Sequence, residues 1–465
     1  MKIKLLLFTL SLFSIISVAQ NSVSSKISEY LENTQKVHGI PGMAAAVIKN
    51  DNILYQDYFG TGMIESLTPV SKNSMMPLFS ASKLMTNVAV FKLVEEEKIN
   101  ITDPISKYFK DIPEEWKKVT IQNLLTHSSG IPDFIRFDMS LPHDKLLKEL
   151  YKEEMYFEPG AHFQYNQTNY WFLARIIEQI TGDKFADYII RNQFNGNSEG
   201  ILYSSNFKEA IPNRVIKYNY IAKRELFERN TPVGDEIGHP GNGISITMPR
   251  LIEWCQNVLK NKFLSSETHK LMLETFEYEK GPKEHFTNGW AVYKVNGNLT
   301  YGFTGGGVSG IRFFPEKDMA IIFLSNGMKT YSVHNMVINH LAGMIDKDLA
   351  DENELMMNKI EEEFIEGNIS AEGVFQNYKK LFAEDTEAHL NALGYKFIDN
   401  NPKYAVRLFE TMVNEFPNSF NAYDSLGEAY MKIGNNKKAK TNFQKSLDLN
   451  PENKNAEDMI SRLKT

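Results

Sequence analysis

The chain has 465 residues, 42% of them hydrophobic and 23% charged, with a formal net charge of −7. That length exceeds one typical domain, and the composition supports a large buried core, so two or three domains are expected. The mild acidity and the lack of a long basic run leave no electrostatic footprint for nucleic acid, and a single cysteine excludes an internal disulfide.

Lys2 and Lys4 precede the apolar run LLLFTLSLFSIISV, and Ser17 and Ala19 are small residues placed for a cut after Ala19. Residues 1–19 therefore read as a secretory signal peptide, too short for a retained span. The mature protein is expected to be exported, periplasmic or secreted. No Cys stands at the cut to take a lipid, and no later segment is long and apolar enough to span a bilayer.

Ile27, Tyr30, Leu31 and Thr34 recur at helical spacing, which predicts a helix from Ser24 to Val37. GMAAAVIKNDNILYQDYFG, Gly42 to Gly60, reads as two strands joined at Asn50-Asp51-Asn52. From Phe79 to about Gly182 helical patterns dominate, the last closing on Gly182 as a C-cap. In RLIEWCQNVL, Cys255 shares an apolar helical face with Leu251, Ile252, Val258 and Leu259, the setting of a buried hydrophobe rather than a catalytic thiol. Strands return as two hairpins, turning at Asn296-Gly297-Asn298 and Glu316-Lys317-Asp318, with a helix from about Tyr331 to Met344 behind them. Strands from both ends bracketing a helical insert predict an α+β fold: one antiparallel sheet flanked by helices, beside an all-helical lobe.

Beyond about Asp346 the chain reads as helical and charged. Ala405, Phe409 and Pro417 recur 34 residues later as Ala439, Phe443 and Pro451, and Leu393-Gly394 recurs as Leu426-Gly427. With Tyr423 and Tyr430, the second unit resembles the tetratricopeptide repeat. Two units are fewer than a free solenoid needs, so they are expected to pack on the helix at about Ser370–Ala383 or on the main domain. The expected division is a signal peptide (1–19), a main domain (20–346), a helical linker (347–385) and two repeats (386–465).

Ser-x-x-Lys occurs three times, at Ser80/Lys83, Ser205/Lys208 and Ser461/Lys464. Only Ser80 follows an apolar MMPLF and opens an amphipathic helix pattern (Leu84, Val88, Phe91, Val94). Residues three apart share a helical face, so the Lys83 amine can reach the Ser80 hydroxyl. Free N–H groups and the positive end of the helix dipole favour an oxyanion there and help depress the lysine pKa. A buried neutral lysine can then accept the serine proton.

From about Gly39 to Met344 the chain resembles the serine hydrolase family of class C β-lactamases, D-alanyl-D-alanine carboxypeptidases and related esterases. HGIPGMAAAVIKNDNILYQDYFG, FSASKLMTNVAVF, IQNLLTHSSGIPDF, EPGAHFQYNQTNYWFLARIIEQITG, GNGISITMPRLIEW and GFTGGGVSGIRFFP match family blocks in family order. The resemblance implies a β-lactamase/transpeptidase-like fold. It also implies that Tyr165 relays a proton with Lys83. The family's Tyr-x-Asn occurs nowhere here; its third position is Gln167, which keeps the amide but is one methylene longer. On the edge strand beside the nucleophile the family has Lys-Thr-Gly or His-Thr-Gly, where this chain has Phe303-Thr304-Gly305 before Gly306 and Gly307. The resemblance implies an oxyanion hole made by the N–H groups of Ser80 and Gly306. Phe303 removes the cation that meets a β-lactam carboxylate, so weak activity on β-lactams and better activity on uncharged esters or amides are expected.

His127, in LLTHSSGIPDF, is expected to hold a turn rather than serve as base. The remaining histidines show no metal spacing, and neither metal nor cofactor is expected. The sequence thus points to a Ser80-dependent acyl hydrolase acting on a small-molecule or peptide acyl substrate. A hydrolase of β-lactams or D-amino-acid peptides and an inactive binding protein working through its repeats are the alternatives. The repeats leave room for a protein partner; no nucleic acid or membrane partner is expected.

Overall fold

The computed structural model describes residues 23–138, 141, 143–232 and 236–463. The expected signal peptide lies outside them.

Helix α1 covers 23–38 and buries Ile27, Leu31 and Thr34, the stripe read from its spacing. Strands β1 (Gly42–Lys49) and β2 (Asn52–Met63) follow, then the short β3 (Thr68–Pro69) and β4 (Met75–Pro77). Their hairpin turns on two residues, not three: Asn50 and Asp51 have φ of 49° and 64°, the twist-matched type I′ geometry. Helix α2 (Lys83–Glu95) then leads into a lobe of α3 (Ile121–Leu125), α4 (His143–Leu150), α5 (Thr168–Thr181) and α6 (Phe185–Gln193). As expected, Gly182 caps α5, with φ of 75°.

The chain returns through β5 (Ile201–Tyr203), β6 (Tyr218–Ile221), β7 (Leu226–Arg229), α7 (His239–Asn242), β8 (Ile244–Thr247), α8 (Met248–Leu259) and α9 (Ser266–Met272). Two hairpins then follow: β9 (Ala291–Val295) with β10 (Asn298–Gly305), and β11 (Ser309–Phe314) with β12 (Met319–Ser325). Strand β8 pairs with β4 and β5, and β6 with β7. None of these strands between β4 and β8 exceeds four residues, too short for a period-2 signal, so they escaped the sequence reading.

The main sheet is antiparallel in the order β3-β2-β1-β12-β11-β10-β9, so strands from both ends of this part of the chain meet at β1 and β12. Alternation divides the central strands between two cores. Ala44, Ala46, Ile322 and Leu324 join α2 and the helical lobe on one face. Met43, Val47, Ile321 and Phe323 face α1 and α10 (His334–Ile345) on the other. Helix α2 departs from expectation. It is buried on every side from Lys83 to Phe91, because it lies between sheet and lobe, so its apolar residues mark no single face. Its polar residues are consumed internally: Thr86 donates to the Pro240 carbonyl at 2.7 Å, and Asn87 accepts from Tyr170 at 3.0 Å.

Beyond α10 every described element is helical: α11 (Glu352–Glu366), α12 (Ala371–Phe382), α13 (Thr386–Phe397), α14 (Pro402–Glu415), α15 (Phe420–Lys432), α16 (Asn436–Leu449) and α17 (Lys454–Arg462), besides single 3-10 turns. The segment read as a linker is two packed helices. Phe364, Tyr378, Phe397 and Phe409 belong to the same apolar cluster as Met43 and Phe323 of the sheet, so these helices complete the cover of its second face. One contact recurs in the helix pairs α13–α14 and α15–α16. A Cβ on Gly394 would lie 2.2 Å from the Phe409 ring, and one on Gly427 2.7 Å from that of Phe443, so each glycine admits the aromatic of the following helix. A polar knot pins the helices to the sheet domain: the buried Glu361 accepts from Tyr331, from Tyr378 at 2.9 Å and from Lys396 at 2.8 Å.

Candidate active site

Ser80 sits in a 3-10 turn, Phe79–Ser82, that runs directly into α2. Phe79 has φ of 48°, an uncommon conformation for a bulky side chain that the surroundings must enforce. Leu78 donates to the Ile244 carbonyl at 2.8 Å, and its own carbonyl accepts from Ala81 N–H at 3.1 Å and from the Ser309 hydroxyl at 2.7 Å. The turn is thus held between β8 and β11 and lifts Ser80 to a half-buried position, while Ser82 is buried and accepts from Ile244 N–H at 3.2 Å.

Lys83 is fully buried. Its Nζ donates to Gln167 Oε1 and to the Gly241 carbonyl, both at 2.8 Å. Rings surround it, the centroids of Tyr170, Tyr165 and Phe303 lying 4.8, 4.9 and 5.9 Å from Nζ. Burial holds the amine well below its ordinary range, and the Asp133 carboxylate opposes that shift. A neutral amine has two N–H groups and one lone pair. With Gln167 and Gly241 taking the protons, the lone pair is left to accept one.

Tyr165 exposes part of its ring to solvent, but its hydroxyl stands beside Ser80 and Gln167, and desolvation there pushes the phenol above the ordinary tyrosine range. It therefore stays protonated at neutral pH and can pass a proton only by giving one and taking another. Gln167 precedes α5, and its backbone N–H donates to Asp133 Oδ2 at 3.0 Å, which fixes where its longer side chain starts. The neighbouring Asn166 offers no replacement for the missing asparagine: it is buried, with its amide on the Ile131 carbonyl.

His127 is buried, with φ of 55°, and its Nδ1 accepts from the Asn166 N–H at 3.1 Å. Burial pushes its pKa well below the ordinary value, so it is a neutral ring, its centroid 4.5 Å from that of Tyr165. This is the positioning expected of it.

The strand carrying Phe303 and Thr304 is not the edge strand. β9 lies outside β10, but their pairing ends at Gly302↔Ala291, so Phe303, Thr304 and Gly305 run past β9 to the Ser80 turn. A Cβ on Gly305 would stand 2.0 Å from the Leu78 carbonyl and 2.8 Å from Ser80 N, an approach only glycine permits. Thr304 is half-buried, and Gly306 is exposed beside Phe79. Phe303 is buried, its centroid 6.3 Å from Tyr165 and 5.8 Å from Phe286.

Four contributors were not singled out by the sequence reading: Gly241, Asp133, Tyr170 and Asn87. All four lie inside the matched blocks or the α2 pattern, but nothing in spacing ranks them above their neighbours. At Gly241 a Cβ would stand 2.5 Å from Gln167 Oε1 and 3.1 Å from Lys83 Nζ, so glycine is needed there for its carbonyl to reach the lysine. Of the other Ser-x-x-Lys pairs, Lys208 is exposed and Ser461 is exposed on the last helix, so neither repeats the buried arrangement at Ser80.

Comparison with known proteins bears on the family and the fold. A protein-family model described as Beta-lactamase matches residues 27–341. Penicillin-binding protein 4* of Bacillus subtilis (strain 168) is 26% identical over 323 residues, covering 63% of this chain and 70% of its own. Among solved structures, the octameric penicillin-binding protein homologue from Pyrococcus abyssi aligns with 72% of this chain and 81% of its own, at a TM-score of 0.60 and 22% identity. The D-amino acid amidase from Ochrobactrum anthropi SV3, complexed with L-phenylalanine amide, aligns with 71% of this chain and 100% of its own, at a TM-score of 0.60 and 16% identity. At these identities the structural likenesses establish the fold.

Proposed function

Since the chain belongs to the Beta-lactamase family, we propose that it is an exported serine acyl hydrolase acting on ester or amide substrates through an acyl-enzyme. The observation that carries this reading is the buried Lys83, both of its N–H groups engaged, three residues from a serine held in a strained turn. Ser80 attacks the carbonyl as its proton passes to the Lys83 amine by way of the Tyr165 phenol. The oxyanion rests on the N–H groups of Ser80 and Gly306. The protonated cluster returns its proton to the leaving group, and then activates water to release the acyl group.

Phe303 sets the substrate class: a phenyl ring stands where an anionic group would need a cation. A β-lactam or D-amino-acid peptide hydrolase is the second reading, drawn from relatives named as penicillin-binding proteins. An inactive binding protein is disfavoured by the joined Ser80, Lys83, Tyr165 and Gln167. The C-terminal hairpins, 386–465, are proposed to be tetratricopeptide-like, with the shared glycine–phenylalanine contact as support. They are read as a cover of the sheet domain with room for a protein partner.

The purified protein is expected to hydrolyse short p-nitrophenyl esters with kcat/KM at least about 100-fold above that for benzylpenicillin or a cephalosporin, since losing a buried charge partner costs roughly 3 kcal/mol or more. Steady turnover of either β-lactam at the ester's rate would favour the second reading.

A further inference from the structure

The residue before the nucleophile opens a column of rings and cations that the mechanism above leaves unused. The Phe79 ring stacks on Phe207 with centroids 5.1 Å apart and planes 15° apart. The Arg214 guanidinium lies over the far side of this pair, 3.9 Å from the Phe207 centroid, and the Lys217 ammonium lies 5.1 Å from the Phe79 centroid. Arg214 is buried and spends its Nη groups on the carbonyls of Asn206 and Ser204, at 2.9 and 3.0 Å, with Glu209 as the acid near it. Lys217 differs. It is half-buried, and among the described residues no carboxylate pairs with it. Burial alone lowers its pKa. A cation kept partly out of water without a counter-charge is costly, and it is retained most readily where a ligand supplies that charge.

Its place against Phe79, the residue before Ser80, gives it a task. A Cβ on Gly306 would touch the Phe79 ring at 2.8 Å, so the column stands against the glycine end of β10. Phe303 stands at the other end of that run, three residues away, against Tyr165. The two ends therefore differ in character: phenyl rings at Phe303, and beside Phe79 an ammonium that no carboxylate among the described residues pairs with.

We propose that Lys217 is a specificity-determining residue that anchors an anionic group at the far end of the substrate's acyl chain, on the Phe79 side of Ser80. The proposal rests on Ser80 being the nucleophile, and it names the substrate class as esters or amides of acids that carry a second, anionic terminus. It leaves β-lactams disfavoured, because their carboxylate is expected at the Phe303 end. Lys217 does no proton transfer; it holds the substrate by charge, so it is expected to act on KM and leave kcat alone.

The test compares two esters that differ only in the terminal group: mono-p-nitrophenyl glutarate and p-nitrophenyl valerate. Lys217→Met is expected to raise KM for the glutarate ester about 10-fold with kcat within about 2-fold, to leave both constants for the valerate ester unchanged, and to be rescued by Lys217→Arg. In the unaltered protein, rising salt is expected to raise KM for the glutarate ester alone. Equal effects on the two esters, or none on either, would overturn the proposal. A readout without turnover separates it from the catalytic reading: Ser80→Ala protein is expected to bind glutaric monoamide more tightly than valeramide, and to lose the preference with Lys217→Met. If that preference is present while Ser80→Ala leaves ester turnover intact, the anchor stands and the nucleophile assignment fails. If it is absent, the anchor is wrong whatever the fate of Ser80.

Discussion

Replacing Ser80 by Ala is expected to reduce kcat/KM for a short p-nitrophenyl ester at least about 1,000-fold, with the far-ultraviolet circular dichroism unchanged. The size of the loss follows from chemistry: without the hydroxyl no acyl-enzyme forms, and only binding and oxyanion donors remain to accelerate attack by water. The expected stability change is small for a structural reason. Ser80 is half-buried, and the strained turn is held by backbone bonds of Leu78 with Ile244, Ala81 and Ser309, none of which uses the Ser80 side chain. Ser82→Ala separates the two serines. It removes the acceptor of the Ile244 N–H, so it is expected to cost stability, on the order of 1 kcal/mol, with a much smaller effect on turnover.

Lys83→Met is expected to lower kcat by about 100- to 10,000-fold, the range a general base supplies. Its pH dependence carries more information than its size. Burial holds the Lys83 amine well below its ordinary range, and only the neutral amine can accept the Ser80 proton. The activity of the unaltered protein is therefore expected to rise with pH as Lys83 deprotonates, with the limb below the usual lysine range. Tyr165, held above its ordinary range, stays protonated and adds no second limb there. The same shift acts on stability. Between the folded and unfolded pKa of Lys83 the unfolded chain binds more protons, so stability rises with pH across that window and is lowest below it. Lys83→Met is expected to flatten that slope. It also leaves Gln167 Oε1 and the Gly241 carbonyl without a donor, which offsets part of the gain from removing a buried cation. Kinetic pH profiles with denaturant melts at matched pH measure both effects; an unchanged acidic limb in the Met variant would assign the ionisation elsewhere.

The sheet was legible because its strands are long and their turns specific. β1 and β12 read as unbroken apolar runs, and they are buried on both faces between two cores. The candidate site was legible through order and context: Ser80 and Lys83 precede Tyr165 and the Phe303–Gly307 run, and the fold brings the Tyr165 and Phe303 rings to Lys83 and Gly305 to Ser80 N. What escaped were contacts made by backbone. The Gly241 carbonyl on Lys83 and the strain at Phe79 leave no mark in residue type. The amphipathic reading of α2 failed because hydrophobic spacing cannot separate a helix with one buried face from a helix buried on all sides with its polar groups bonded inside. The edge-strand reading failed because β9 adds outside β10, and only the last residues of β10 escape its pairing. Gln167 resolves differently from its asparagine counterpart. Its backbone is fixed on Asp133, and its amide meets Lys83.

The central claim is that Ser80 is the nucleophile, and peptide mapping after treatment with a fluorophosphonate tests it most directly. A single covalent adduct is expected on the tryptic peptide containing Ser80, formed by the folded protein and absent after heat denaturation or in Lys83→Met. An adduct on another residue, or no adduct on folded protein that hydrolyses esters, would contradict it.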